Sequence, residues 1–149
     1  MKVVVDTNII FSCLLHSNGN IGEILFSSSD ILEFFSCDYM RVEIRAHWSK
    51  LLKLSKLTDS QLQNAYDKTT SHIKFISEEI IKSSIWLKAE ETVADIDEDD
   101  ISFVALAKYL KGGLWTGDKK LYAGLKSKRF GKVYNTDDML QLQTRLRRR

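Results

Sequence analysis

A chain of 149 residues has the length of one domain and can bury a substantial core. Its 44% hydrophobic and 28% charged content is ordinary for a globular domain, and no apolar run reaches the roughly 18–20 residues needed to span a bilayer. The net charge of +2 implies no polyanionic partner by itself, although acids crowd into Asp95–Asp100 and the end, Arg145–Arg149, is basic.

Val3-Val4-Val5 is a β-branched run of the kind found in a strand covered on both faces. Asp6 follows where a signal peptide would continue its apolar stretch, so a cytoplasmic location is expected. Asp6-Thr7-Asn8 supplies three polar residues suited to a turn or a helix cap. Asn18-Gly19-Asn20 is a break before a helical stretch, Ile21 to Phe26. A second strand is predicted at Ile31–Phe35, and a helix at Tyr39–Leu52 with Met40, Ile44 and Leu51 on or near one face. Thr58-Asp59-Ser60-Gln61 reads as a helix start, Ile73–Ser77 as extended and Glu78–Val93 as helical.

Ile101–Leu110 is apolar almost throughout, which predicts a helix packed deep in the domain and ended by a left-handed cap at Gly112-Gly113. Leu114–Thr116 is the next strand, Lys119–Leu125 a short helix and Lys132–Tyr134 the last strand. A final helix starts near Thr136, with Met139, Leu142 and Leu146 at i, i+3 and i+7. Strands alternating with helices predict an α/β domain with a mostly parallel sheet flanked by helices. Cys13 and Cys37 lack metal-site or redox spacing and read as buried small hydrophobes, and His16, His47 and His72 are scattered.

Ligands of open parallel sheets bind at the carboxyl ends of the strands. Asp6 and Asp118 fall at two such ends, Asp100 opens the buried helix, and Glu43 lies between apolar Val42 and Ile44 in a predicted helix. Carboxylates aimed at one point repel each other unless cations neutralise them. Hard divalent ions such as Mg2+ bind carboxylates, keep waters and take further oxygens from phosphate, and this donor set suits phosphodiester hydrolysis.

Three segments together resemble the motifs of PIN-domain nucleases. They are Val4-Val5-Asp6-Thr7-Asn8, Asp99-Asp100-Ile101-Ser102-Phe103-Val104-Ala105-Leu106-Ala107, and Leu114-Trp115-Thr116-Gly117-Asp118-Lys119-Lys120-Leu121. The resemblance runs from Met1 to about Leu140 and implies a three-layer α/β/α sandwich with Mg2+- or Mn2+-dependent cleavage of RNA. By position it makes Asp6, Asp100 and Asp118 the metal-binding acids and Glu43 the family's helical glutamate. It makes Asn8 and Thr116 the groups that orient those acids, and places Asp97 and Asp99 near enough to contribute, behind Asp100. Many family members are toxins of toxin–antitoxin pairs, dimeric and inhibited by a small partner protein. Others process or degrade RNA without an antitoxin, so the resemblance implies a homodimer and leaves both cases open, an antitoxin partner or none; no membrane association is expected. Lys119 and Lys120 are either a solvated helix start or contacts for flanking phosphates, and Arg145–Arg149 is either an extension of that surface or a solvated tail.

Asn8 stands where an aspartyl phosphatase would need a second Asp after the first strand, and neither GxxxxGK[ST] nor GxGxxG occurs. The competing reading is a binding module that keeps this fold without catalysis.

Overall fold

The computed structural model describes residues 1–16 and 19–149; Asn18 of the predicted Asn18-Gly19-Asn20 break lies outside them. The elements alternate as expected. In chain order they are β1 (Lys2–Val5), α1 (Thr7–Leu15), α2 (Asn20–Ser27), β2 (Glu33–Cys37), α3 (Asp38–Ala46), α4 (Trp48–Ser55), α5 (Asp59–Thr70) and β3 (Ile73–Ile76). There follow α6 (Ser83–Val93), α7 (Ile101–Leu110), β4 (Gly113–Trp115), α8 (Lys119–Ser127), β5 (Val133–Tyr134) and α9 (Thr136–Arg147). Short 3-10 turns occupy Glu78–Ile80 and Glu98–Asp100.

The five strands form one sheet in the order β3-β2-β1-β4-β5, and all four pairings are parallel. Val3, Val4 and Val5 have no exposed surface, so helices cover both faces of the centre, giving an α/β/α sandwich. Each such side chain contributes roughly 1.5–3 kcal/mol through burial. On one flank α7 packs against α6 and lies over β1, β2 and β4. Its six consecutive buried residues, Ser102–Ala107, make it buried almost all round, with small Ala105 and Ala107 in that run. Elsewhere α1 packs against α2, α4 and α5, and α9 against α2 and β5. Cys13 and Cys37 are buried, and burial pushes both thiols up.

The order of strands reverses between β1 and β4: the chain leaves β1 for β2 and β3 on one side, then returns to β4 and β5 on the other. The carboxyl ends of β1 and β4 therefore lie side by side at a topological switch point, where a crevice opens in sheets of this kind.

Four local expectations are corrected. The predicted Tyr39–Leu52 helix is two helices, because the His47 amide is shared between the carbonyls of Glu43 and Ile44, both at 3.2 Å, and the backbone turns there. The hydrophobic stripe survives the bend, with Met40, Ile44 and Leu51 all fully buried. The second strand starts at Glu33 rather than Ile31, since the amides of Ile31 and Leu32 donate to Ser28 at 3.0 and 2.8 Å and are held in a turn. Glu78–Val93 is divided by extended Ile81, leaving only Ser83–Val93 α-helical. The left-handed residue ending α7 is Lys111 (φ 54°), not a glycine. Gly112 instead answers to a close approach: a Cβ there would lie 2.6 Å from the Lys2 carbonyl oxygen.

Candidate functional site

Asp6 is the first residue past β1. Its backbone amide donates to the Trp115 carbonyl at 3.2 Å, which ties the end of β1 to the end of β4. Its Oδ1 accepts from the Ile9 amide at 3.1 Å and so caps α1. Its Oδ2 is buried and accepts no hydrogen bond of good geometry, although the Thr116 hydroxyl is close enough to lower the carboxyl's pKa. The carboxyl is pushed up to about 7 by desolvation, which Thr116 and the Ile9 amide oppose and the Asp118 charge reinforces.

Asp118 caps α8 in the same manner, with Oδ1 accepting from the amides of Lys120 at 2.9 Å and Leu121 at 3.1 Å. Thr116, fully buried between β4 and α8, accepts the Asp118 amide on its hydroxyl at 3.0 Å. Two successive caps on one strand end thus set the direction in which Asp118 leaves the sheet.

Asp100 closes the 3-10 turn before α7, at φ −90° and ψ 1°. It is 9% exposed, and its Oδ2 is also buried without a partner. Burial pushes this carboxyl up to about 7, with further increments from Asp6, Asp97, Asp118 and Glu43. Carboxylate oxygens of Asp97, Asp100 and Asp118 lie within 4.8 Å of one another. The acidic run therefore divides: Asp97 turns into the cluster, where its Oδ1 also caps the turn by accepting from the Asp99 amide at 3.0 Å, whereas Asp99 is exposed.

Glu43 reaches the edge of this cluster from α3. Its carboxylate accepts a hydrogen bond from the Thr7 hydroxyl. Desolvation raises its pKa, Thr7 and His47 oppose the rise, and Asp99 and Asp97 add to it. Asn8 is exposed in the first turn of α1, beside Gly117. Lys119 and Lys120 are exposed at the start of α8, and Lys119 lines a pocket with Asp118, Tyr122 and Asn135.

Two neighbours of the cluster escape a reading of the sequence. Thr7 was legible only as a turn residue, since its partner Glu43 is thirty-six positions away. Tyr39 feels the charges of Glu43, Asp99 and Asp100, which raise its pKa further after burial. Its spacing from Glu43, i to i+4 on one helix, is the signal that points to it.

The arrangement has the chemistry of a hard-cation site. Three carboxylates, those of Asp97, Asp100 and Asp118, converge, with Asp6 and Glu43 near enough for their charges to act on Asp100. The buried oxygens Asp6 Oδ2 and Asp100 Oδ2 are unsatisfied, and no lysine or arginine among the described residues is paired with Asp6, Asp100 or Asp118. A divalent ion fits this donor set.

A family model described as PIN domain matches residues 4–144. No curated protein matches the chain. Among solved structures it resembles VapBC2 from Rickettsia felis bound to a DNA fragment from their promoter, with a TM-score of 0.70 at 14% identity over 91% of this chain and 98% of that one. It also resembles PAE2754 from Pyrobaculum aerophilum, with a TM-score of 0.65 at 15% identity over 100% of this chain and 91% of that one. For VapBC-1 from nontypeable Haemophilus influenzae the TM-score is 0.63 at 16% identity, covering 92% and 99%.

Proposed function

The chain belongs to the PIN-domain family, and from that membership we propose that it is a metal-dependent endoribonuclease that hydrolyses RNA phosphodiester bonds at the carboxylate cluster. The observation that carries this reading is the pair of buried, unpartnered oxygens, Asp6 Oδ2 and Asp100 Oδ2. A fold that needed only helix caps would leave neither desolvated without a partner.

Asp100 and Asp118 would hold Mg2+ or Mn2+ together with Asp97, whose carboxylate oxygens converge with theirs. Asp6, whose charge is felt by Asp100 and which feels that of Asp118, would complete the set. Such an ion lowers the pKa of an attacking water and neutralises charge on the scissile phosphate. The remaining steps belong to the chain's own groups. Asp118 presents one oxygen while the other is fixed by two amides of α8. Thr116 orients Asp118 through its amide, and Asn8 borders the same crevice beside Gly117. Glu43, steadied by Thr7 and with its pKa raised, serves as the proton acceptor for the attacking water. Lys119 and Lys120 flank Asp118 and meet the neighbouring phosphates.

The likeness to two VapBC structures supports a further step, that the chain is the toxin of a toxin–antitoxin pair, a cytoplasmic homodimer held inactive by an antitoxin protein. No helix among the described residues is long and apolar enough to cross a membrane. The test is a panel of RNAs, single-stranded DNA and duplex DNA incubated with the protein in Mn2+, in Mg2+ and in EDTA. RNA cut only with metal is the expected result; equal cleavage in EDTA, or cleavage of DNA alone, contradicts the proposal.

A further inference from the structure

At the opposite end of the sheet from the acids, three strand starts and one helix end bring cations together. Lys2 opens β1, Lys111 precedes β4, Lys132 precedes β5, and Arg145 and Arg149 stand at the end of α9. All five are exposed and line one cavity of about 450 Å³, whose floor includes half-buried Tyr134 and buried Leu142. Lys2 and Asp6 bracket β1, so this cavity lies about 13 Å or more from the acidic crevice.

The ordinary account of basic residues at a helix end is that they offset the helix dipole. That account is too small here. The carboxyl ends of α7 and α9 together contribute about one negative charge, against five cations. The nearby acids are already engaged. Glu33 is bonded to Lys74 at 2.9 Å, and Asp138 accepts from the Tyr122 hydroxyl at 2.6 Å and the Asn135 amide at 3.1 Å. None of the five cations forms an ion pair among the described residues, whereas Arg147, two residues from both Arg145 and Arg149, is paired with Asp30 at 3.1 Å. Five exposed like charges gathered beside an apolar and aromatic floor make a strongly positive surface, which draws an anionic occupant most at low salt.

We propose that this cavity is a second nucleic-acid contact, in which Lys2, Lys111, Lys132, Arg145 and Arg149 hold phosphates of an RNA whose scissile bond lies in the acidic crevice. The ring of Tyr134 offers an adjoining surface for a base or sugar. The domain then grips a folded RNA at both ends of its sheet and favours structured substrates over short ones. The choice of RNA as occupant rests on the proposed function, while the charge of the cavity does not.

The test measures anisotropy of a fluorescein-labelled hairpin RNA in EDTA, where the proposed metal-dependent cleavage is silent, across a salt series. The variants are Lys132→Glu with Arg145→Glu, and Lys82→Glu, just before α6, with Lys88→Glu on α6 as a control of equal charge change. The first pair is expected to weaken binding at least about tenfold and to lower the slope of log K against log salt by about 1.4–1.8, two phosphates at roughly 0.7–0.9 each between single strand and duplex. The control pair should leave the slope unchanged, and metal-dependent cleavage of a trinucleotide should be equal in all three proteins. Equal weakening by both pairs, or an unchanged slope in the first, overturns the proposal. So does a salt-dependent change in sedimentation without a change in RNA binding, which would make the occupant a second copy of the chain. Failure of the proposed function is read separately, as trinucleotide and panel RNAs left intact by the wild-type protein in Mn2+.

Discussion

The amide of Asp6 donates to the carbonyl of Trp115 at 3.2 Å, one residue beyond the last strand pair of β1 and β4. This bond brings the first acid of the chain beside a strand more than a hundred residues later. Thr116 and Asp118 follow Trp115 directly, so the carboxylates of Asp6 and Asp118 are set by backbone geometry before any metal binds. Ser36 reinforces the same end by donating its hydroxyl to the Val5 carbonyl at 2.9 Å.

Thr116 is the most sensitive support of that geometry. Thr116→Val keeps the shape but removes the acceptor of the Asp118 amide, which is expected to cost about 1–3 kcal/mol in stability. The effect on metal affinity should be larger, roughly 10–100-fold, as for other groups that orient ligands. Thr116→Ser should retain most of both. Thermal unfolding and Mn2+ titration of the two variants check this.

Stability of the metal-free protein should fall as pH rises. Asp6 and Asp100, ordinarily near 3.8, are held near 7 in the fold, so between these limits the folded state binds more protons than the unfolded state. The contribution is fully favourable below about pH 4 and is lost progressively on the way to pH 7, the two carboxyls acting as a coupled pair. In EDTA the melting temperature should therefore be lower at pH 8 than at pH 5, and Asp6→Asn should flatten the difference. Calorimetry showing a rise from pH 5 to pH 8 in EDTA would contradict the assignment of these two carboxyls.

Thr7→Val should affect cleavage more than folding. It frees Glu43 from its hydroxyl donor at a half-buried, solvent-facing edge, so the loss of stability should stay within about 1 kcal/mol. If Glu43 is the proton acceptor, Glu43→Gln should lower kcat by about 10²–10⁴-fold. Thr7→Val should lie between that variant and the wild type, with its pH profile displaced because Thr7 holds the Glu43 pKa down. Single-turnover rates across pH measure both.

Much of the fold is legible because its signals are local. Val3-Val4-Val5 is apolar on both faces, and Ile101–Leu110 is bounded by Asp100 and, one residue past Lys111, by the Gly112-Gly113 pair, so the strand and the helix lie where the pattern puts them. Asp6 and Asp118 could be placed at strand ends for the same reason. The illegible features depend on distant or directional contacts. The break at His47 comes from one shared amide in a continuous hydrophobic stripe. Which of Asp97 and Asp99 faces the crevice is decided by the handedness of a three-residue turn, to which composition is blind. The Thr7–Glu43 bond joins α1 to α3 and exists only once both helices have docked.

Two glycines should respond differently to alanine. At Gly112 the new Cβ meets the Lys2 carbonyl at 2.6 Å, rigid backbone at the β1–β4 junction, and a loss of about 1–3 kcal/mol is expected. At Gly124 it meets the tip of the Ile96 side chain at 2.5 Å, which can rotate away, so Gly124→Ala should be milder. Urea unfolding of the pair would check the order.

The central claim is that Asp6 and Asp100 keep buried oxygens unsatisfied in order to hold a divalent cation, and calorimetric titration with Mn2+ tests it most directly. At pH 6 the wild-type protein should bind Mn2+ with release of protons, because both carboxyls are largely protonated there. Asp6→Asn and Asp100→Asn, folded by circular dichroism, should lose most of that binding and the proton release together. Binding of equal affinity in wild type and both variants, or none in any of them, would contradict the account.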